Sequence, residues 1–327
     1  MKNTANAKGS GITRRATLGL LGIVVFLAAC NSGLEPQVPV PTTDLAPQAS
    51  SCLSRDGKRI KLSGTYRKAA VVSRQRNAVV DARDARMLYQ RGSFVGNKNS
   101  GSFCMSGGVV DVGLSLSASW DTYHSSHGPI FYDTPNATIE NLAVVNAGDC
   151  MSFKDRNEDW LLRDSYFKNC GDDAIENDRY NNGKVQDVLV DAAFMGFSCR
   201  AENKGSPRSY NTVIEDSLIG MSSRRSAYLW KVTTGGSNKC KITIDDNIFY
   251  LPDEVGSVDP ADLHGVTTRP LVCRGKSTIV YTGGNRSYLE QLKRTRRDCF
   301  NVTTDKSVWT KARDAWFREH SQFSKYR

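Results

Sequence analysis

Between residues 137 and 250 the sequence repeats itself with a period too short for a domain and too long for a single strand. IENLAVVNAGDCMSF (139–153) lies over LRDSYFKNCGDDAIE (162–176) at a shift of 23 residues. Ile139 then matches Leu162, Asn141 matches Asp164 and Val144 matches Phe167, while Asn146, Gly148 and Asp149 match Asn169, Gly171 and Asp172. The pattern returns in VLVDAAFMGF (188–197), TVIEDSLIGM (212–221) and ITIDDNIFYL (242–251). Asn141, Asp164, Asp191, Asp216 and Asp246 are read as one column of equivalent positions.

A unit of this length cannot bury its own apolar face, whereas stacked copies share a continuous core. The units hold short β-rich pieces (LAVV, VLV, TVI, ITI) broken by Gly, Asn and Asp, which excludes a helical solenoid and predicts an all-β stack of parallel strands. Equivalent residues of successive strands then form ladders, and short polar side chains serve the turns between them. The five-membered Asn/Asp column is therefore expected to be scaffold, because a catalytic site needs one constellation and not five copies. Extra residues in later units fall in polar stretches, RYNNGK (179–184) and AENKGSPRSY (201–210), where insertions become loops on a binding side. The pattern resembles the right-handed parallel β-helix proteins of the pectin-lyase-like superfamily over about residues 52–285. That resemblance implies the fold and leaves the chemistry open, since the superfamily holds lyases, hydrolases, adhesins and inactive proteins.

The N-terminal segment has the composition of an export signal. Lys2, Lys8, Arg14 and Arg15 precede an apolar run from Leu18 to Ala29, short for a membrane span. Its ending, Leu27-Ala28-Ala29-Cys30, resembles a bacterial lipobox, which implies cleavage after residue 29 and a lipid anchor on Cys30. An ordinary cleaved signal with a chance Cys is the alternative. Asn31 follows the Cys, and by resemblance to Gram-negative sorting this implies the outer membrane. Residues 30–51 carry Pro36, Pro39, Pro41 and Pro47 and read as an extended tether. Residues 52–285 form the β-helical body and 286–327 a basic, helical C-terminal cap with Trp309, Ala312 and Trp316 on one helix face. Removing the signal takes four basic residues and no acid from the +10 of the chain. The remaining mild excess suits an anionic polysaccharide and gives no case for specific nucleic-acid binding.

Eight cysteines follow Cys30, an even number that predicts disulfides in an exported chain without selecting the pairs. Cys150 and Cys170 are disfavoured as partners: in the 23-residue register Cys170 lies under Ala147, three residues from Cys150, about 10 Å along a straight strand.

One unit departs from the others. GDDAIENDR (171–179) carries Asp172, Asp173, Glu176 and Asp178, with Asp149 one unit earlier over Asp172. Stacked carboxylates cannot all ionise cheaply, so such a cluster holds a proton, pairs with a cation or binds a metal such as Ca2+. The order Asp149, Asp172-Asp173, Gly196, Lys231 resembles the layout of the polygalacturonase-like glycoside hydrolases. It implies a catalytic set of Asp149, Asp172, Asp173 and Lys231, with carboxyls that activate water and protonate the leaving oxygen. The chain departs from that layout: Phe197 stands at the His position, Leu229 at the Arg position, and no His occurs between residues 128 and 263. Resemblance to pectate-lyase-like enzymes implies instead acidic calcium ligands, with Arg200, Lys204, Arg224 or Lys231 as base or carboxylate clamp. Trp120 and Tyr123 in SWDTYHSSHGP (119–129), together with Glu176 and Arg200, are candidate substrate contacts. His124 and His127 in that segment read as loop residues, and His264 and His320 as ordinary surface residues. Two functions follow: a cell-envelope protein that binds or processes a polysaccharide, by hydrolysis or lysis, or a non-enzymatic adhesion protein whose acids pair with Arg163, Lys168, Arg179 and Arg200 as scaffold.

Overall fold

A computed structural model describes residues 51–179, 181–199, 210–222, 228–232, 240–252 and 271–327. Residues 1–50, on which the expected export signal, lipidated Cys30 and nearly all of the expected tether fall, lie outside the described residues, as do Arg200, Lys204, Arg224 and His264. Among the described residues no helix is long and apolar enough to cross a membrane.

The β-branched pieces form strands, and their pairings are parallel, each strand with its equivalent in the next repeat. They make three ladders. The first starts with Lys58–Tyr66 and passes through Ser100–Ser106, Ala137–Glu140 and the early parts of Trp160–Glu176 and Gly183–Cys199 to Leu271–Cys273. The second holds Val109–Asp111, Ala143–Ala147, the middle of those two long strands, Leu218–Met221, Ile248–Leu251, Ser277–Tyr281 and Phe300–Thr303. The third holds Ala70–Ser73, Phe94–Asn97, Ile130–Tyr132, Met151–Lys154, the ends of the long strands and Tyr228–Val232. All three contribute to one apolar cluster. Within it, like residues stack: the Phe94 and Phe131 rings lie 5.6 Å apart, Phe131 and Phe153 5.7 Å, and Phe153 is stacked on Trp160 at 4.1 Å. Each such ring removes roughly 2–3 kcal/mol worth of apolar surface from water.

The corner between the first and second ladders is a column of left-handed residues: Asn141 (φ 56°), Asp164 (48°), Asp187 (52°), Asp216 (51°) and Asp246 (47°). Asn and Asp tolerate this conformation because their short polar side chains bond locally. The column forms turns, but its third member is Asp187 and not Asp191. Pairing of Arg163 with Gln186 and Ser165 with Val188 sets Asp164 against Asp187, whereas Asp191 pairs with Lys168. Beside the column, the Ser165 hydroxyl accepts from Leu142 N at a separation of 23 residues, Ser217 from Val188 N at 29, and Ser277 from Asn247 N at 30. Buried turn amides are thereby satisfied one repeat at a time.

Four disulfides close the chain: Cys52–Cys104, Cys150–Cys170, Cys199–Cys240 and Cys273–Cys299. The second overturns the expectation drawn from strand spacing. Cys170 does stack against Ala147, but the chain bends at Gly148-Asp149 and no longer runs straight. Cys150 therefore comes back to a Cα separation of 5.5 Å.

The C-terminal region is not a simple cap on the last repeat. The helix α2, Arg286–Arg294, buries Tyr288 and Leu292 in the main core, and Phe300–Thr303 then extends the second ladder beyond residue 285. The helix α3, Lys306–Glu319, and the 3-10 turn Ser321–Tyr326 run back along the outer side of that ladder. Trp309, Trp316, Phe317 and Phe323 cover Ala143, Tyr166, Leu189, Leu218, Ile248 and Val280. The reach is long: Trp309 stacks on Tyr250 at 5.3 Å, and Gln322 Nε2 donates to Asn141 Oδ1 at 3.1 Å. His320 is no ordinary surface residue. It is buried, stacked on Trp316 at 4.1 Å, with Nε2 3.4 Å from Asp187 and 3.7 Å from Asp164. Burial alone would lower its pKa, but bonds to Asp164 and Asp187 raise it to about 10.

Candidate active site

Asp149, Asp172 and Asp173 meet at the bend between the second and third ladders. The bend is irregular. Asn169 bonds to Asn146 at a separation of 23 residues, whereas Asp173 N donates to Asp149 Oδ1 (3.3 Å) at a separation of 24. The extra residue sets two carboxylates, Asp172 and Asp173, against one, Asp149, as bulges next to functional sites do. One oxygen from each lies within 4.8 Å of the others. Their exposures are 4%, 1% and 3%. Lys231 comes from the third ladder, where Ser152, Glu176, Ser198 and Lys231 stack in register. Its ammonium is 3.6 Å from Asp173 Oδ2 and 3.9 Å from Asp172 Oδ1. Glu176 pairs with Lys154, one repeat earlier, and Asp178 accepts from Ser198 Oγ at 2.7 Å.

The histidines come from the other direction. SWDTYHSSHGP forms a short helix, α1, Trp120–His124, capped by Ser119, whose hydroxyl accepts from Thr122 N. His127 follows as an isolated parallel bridge between Arg91 and Asp149. His127 Nδ1 is 2.6 Å from Asp149 Oδ2, and His124 Nδ1 is 2.9 Å from Asp172 Oδ2. The segment lies this close because two positions have no side chain. A Cβ on Gly148 would sit 1.9 Å from Tyr123 O, and one on Gly171 1.9 Å from the Tyr123 ring.

Electrostatics separates the groups. Burial pushes the Asp149 carboxyl well above the ordinary range, and the charges of Glu176 and Asp172 push it further. Asp173 is raised by burial and by Asp149 and Asp172, with Lys231 opposing. Burial would also raise Glu176, but the Lys154 ammonium outweighs it and holds Glu176 low. His127 is lowered, by burial first and Lys154 second. Both shifts in the His127–Asp149 pair favour uncharged partners. Three buried oxygens, Asp172 Oδ1, Asp173 Oδ1 and Glu176 Oε2, accept no hydrogen bond.

A divalent cation is one answer to such oxygens, and His127, Asp149 and Glu176 also stand close enough to share one. Calcium takes six to eight oxygen ligands. Here the ammoniums of Lys154 and Lys231 already face the cluster, so the residues fit protons and lysines better than calcium.

Asp149, Asp172, Asp173, Glu176 and Lys231 are brought together as the sequence led one to expect. Trp120 stands beside them, 40% exposed, its ring 5.9 Å from His124 and edge-on to Phe194 at 5.3 Å. Tyr123 is not an exposed sugar contact: it is buried, and its hydroxyl donates to Ser115 O at 2.7 Å. Arg163 goes to Glu140 (2.6 Å) and Lys168 to Tyr326 O (3.3 Å), so neither serves as counter-ion to the cluster. Phe197, at the position expected for a histidine, is buried in the core. His124, His127 and Lys154 were not selected from the sequence, although Gly148 and Gly171, the small residues opposite Tyr123, mark where a foreign segment packs. No family model, no curated protein and no solved structure significantly matches the chain.

Proposed function

We propose that this chain is a lipid-anchored cell-envelope protein, a right-handed parallel β-helix of the pectin-lyase-like kind, that hydrolyses a polysaccharide. The observation that carries the reading is a pair of histidine–aspartate dyads, His127–Asp149 and His124–Asp172, beside an exposed tryptophan, the first of them with its carboxyl raised and its imidazole lowered. Opposed environments for neighbouring titratable groups are how one site supplies both acid and base. In the proposed reaction Asp149 passes its proton to His127 Nδ1 while the imidazole Nε2–H protonates the leaving glycosidic oxygen. His124 takes a proton from the attacking water at Nε2, and Asp172 holds its Nδ1–H. The glycosidic C–O bond breaks as water forms the new one. Lys231 keeps Asp172 and Asp173 from repelling each other out of position.

Among the described residues the cation count favours hydrolysis over β-elimination. A lyase must neutralise a uronate carboxylate, and the cations Lys154 and Lys231 of the described site are committed to Glu176, Asp172 and Asp173. Low exposure of the three aspartates favours the second reading, a non-enzymatic surface protein with structural acids. Incubating the full chain with neutral and uronate polysaccharides, with calcium or a chelator, separates them. New reducing ends without unsaturated product are expected, and His124→Ala or His127→Ala should each reduce the rate about 10²–10⁴-fold. No product from any substrate would leave the non-enzymatic reading standing. Unsaturated product would move the reaction to the lyase class.

A further inference from the structure

The bend that carries Gly171 and Asp172 also carries a cavity of about 290 Å³, lined among others by Leu116, Tyr123, Asn169, Gly171, Ala192 and Phe194. A side-chain amide ladder runs into it and stops. Asn146 Nδ2 donates to Asp111 Oδ1 at 3.2 Å, and Asn169 Nδ2 donates to Asn146 Oδ1 at 2.9 Å. Both asparagines are left-handed, at φ 54° and 56°, and the next residue in the column, Ala192, is left-handed too, at φ 70°. Alanine is a poor choice for that backbone, since it has a Cβ and no polar group to bond locally. Asparagine would suit the backbone and continue the ladder, but its carboxamide would occupy the cavity.

We propose that this cavity is a subsite for one uncharged pyranose residue of the polysaccharide, kept open by Ala192. The inference rests on the hydrolase reading above and narrows its substrate. The described lining is mixed, apolar and polar, as a sugar face and its hydroxyls require. Among the described lining residues the one charged side chain is Asp191, held by Arg313 through Nε at 3.1 Å and Nη2 at 2.7 Å. A uronate carboxylate would find no lysine or arginine among those residues and would face Asp191. Phe194 and Trp120 carry the aromatic surface from the cavity to the ring of His124, so a sugar seated here abuts the dyad proposed to activate water.

The test is binding of oligosaccharides to the full chain bearing Asp149→Asn, followed by tryptophan fluorescence and calorimetry. The probes are cello-, xylo- and galacto-oligosaccharides and an oligogalacturonate of equal length. A neutral oligosaccharide is expected to bind best, and Ala192→Asn to weaken it at least about tenfold without lowering Tm. Phe194→Ala should weaken it similarly, and decides the matter if the Ala192 variant does not fold. Tightest binding by oligogalacturonate, or undiminished binding in both variants, overturns the subsite while leaving hydrolysis by the parent chain intact. Absence of binding by every probe, with no reducing ends released by the parent chain, overturns the subsite and the hydrolase reading together.

Discussion

Asp164, Asp187 and Asp191 flank the second ladder on its outer side, and Asp149, Asp172 and Asp173 sit at its far bend. The residue type and the repeat are the same. The first group is covered by the C-terminal segment, which brings a partner to each: His320 to Asp164 and Asp187, Trp316 Nε1 to Asp187 at 2.8 Å, Arg313 to Asp191. The second group is crowded by its own kind. Two of its three members have strongly raised pKa values, and two buried oxygens accept no bond. The contrast separates scaffold acids, each met by a partner from the C-terminal segment, from acids that share one lysine and two histidines and repel one another.

The comparison breaks first if the brace is dispensable. Trp316→Ala removes a buried indole and its bond to Asp187, and urea unfolding should show a loss of about 3–5 kcal/mol. A loss below about 1 kcal/mol would mean that α3 merely rests on the ladder. Replacing Cys150 and Cys170 together by Ala should cost about 2–3 kcal/mol, and should also lower any hydrolytic rate, because the bridge ties Asp149 to the segment bearing Asp172.

The two groups also differ in pH window. A raised folded pKa stabilises fully below the unfolded value and is lost as pH rises through the folded value. For His320 that window runs from 6.5 to about 10, with a loss of at most about 5 kcal/mol. For Asp149 and Asp173 it opens at the ordinary carboxylate value, 3.8, and extends upward. Tm measured against pH should lose its alkaline slope in His320→Gln and its acidic-to-neutral slope in Asp149→Asn. Exchanged slopes would reverse the roles given to the two regions. The smallest effect is the sharpest contrast. Asp187→Ala should destabilise by about 1–3 kcal/mol through lost charged hydrogen bonds, whereas Asp173→Asn should leave stability unchanged or raise it by about 1 kcal/mol, since it relieves like-charge crowding. Equal losses in the two variants would make the bend scaffold too.

Much of this was legible in the residues. The repeat predicted parallel strands with Asn and Asp at the turns, and the register put Asp149 over Asp172, while Lys231 was reached only through the resemblance to a hydrolase layout. Asp191 was mistaken for Asp187 because VLVDAA imitates the local pattern of its neighbours, while pairing is decided over the whole strand, where Gln186 and Val188 fix the alignment. Cys150–Cys170 was missed because an offset along a straight strand says nothing once the chain bends. His124 and His127 read as loop residues in the sequence because the segment that carries them lies outside the repeat pattern, and only packing brings it against Asp149 and Asp172.

The sequence alone determined the period, the apolar faces and the residue types at the turns, because all three are local properties that recur every repeat. Tertiary structure decided which acids are neutralised and which are not. That choice depends on single segments, α1 and α3, packed onto the ladders from far along the chain. Their contacts follow from shape and charge at the surface of the stack, which no periodicity records.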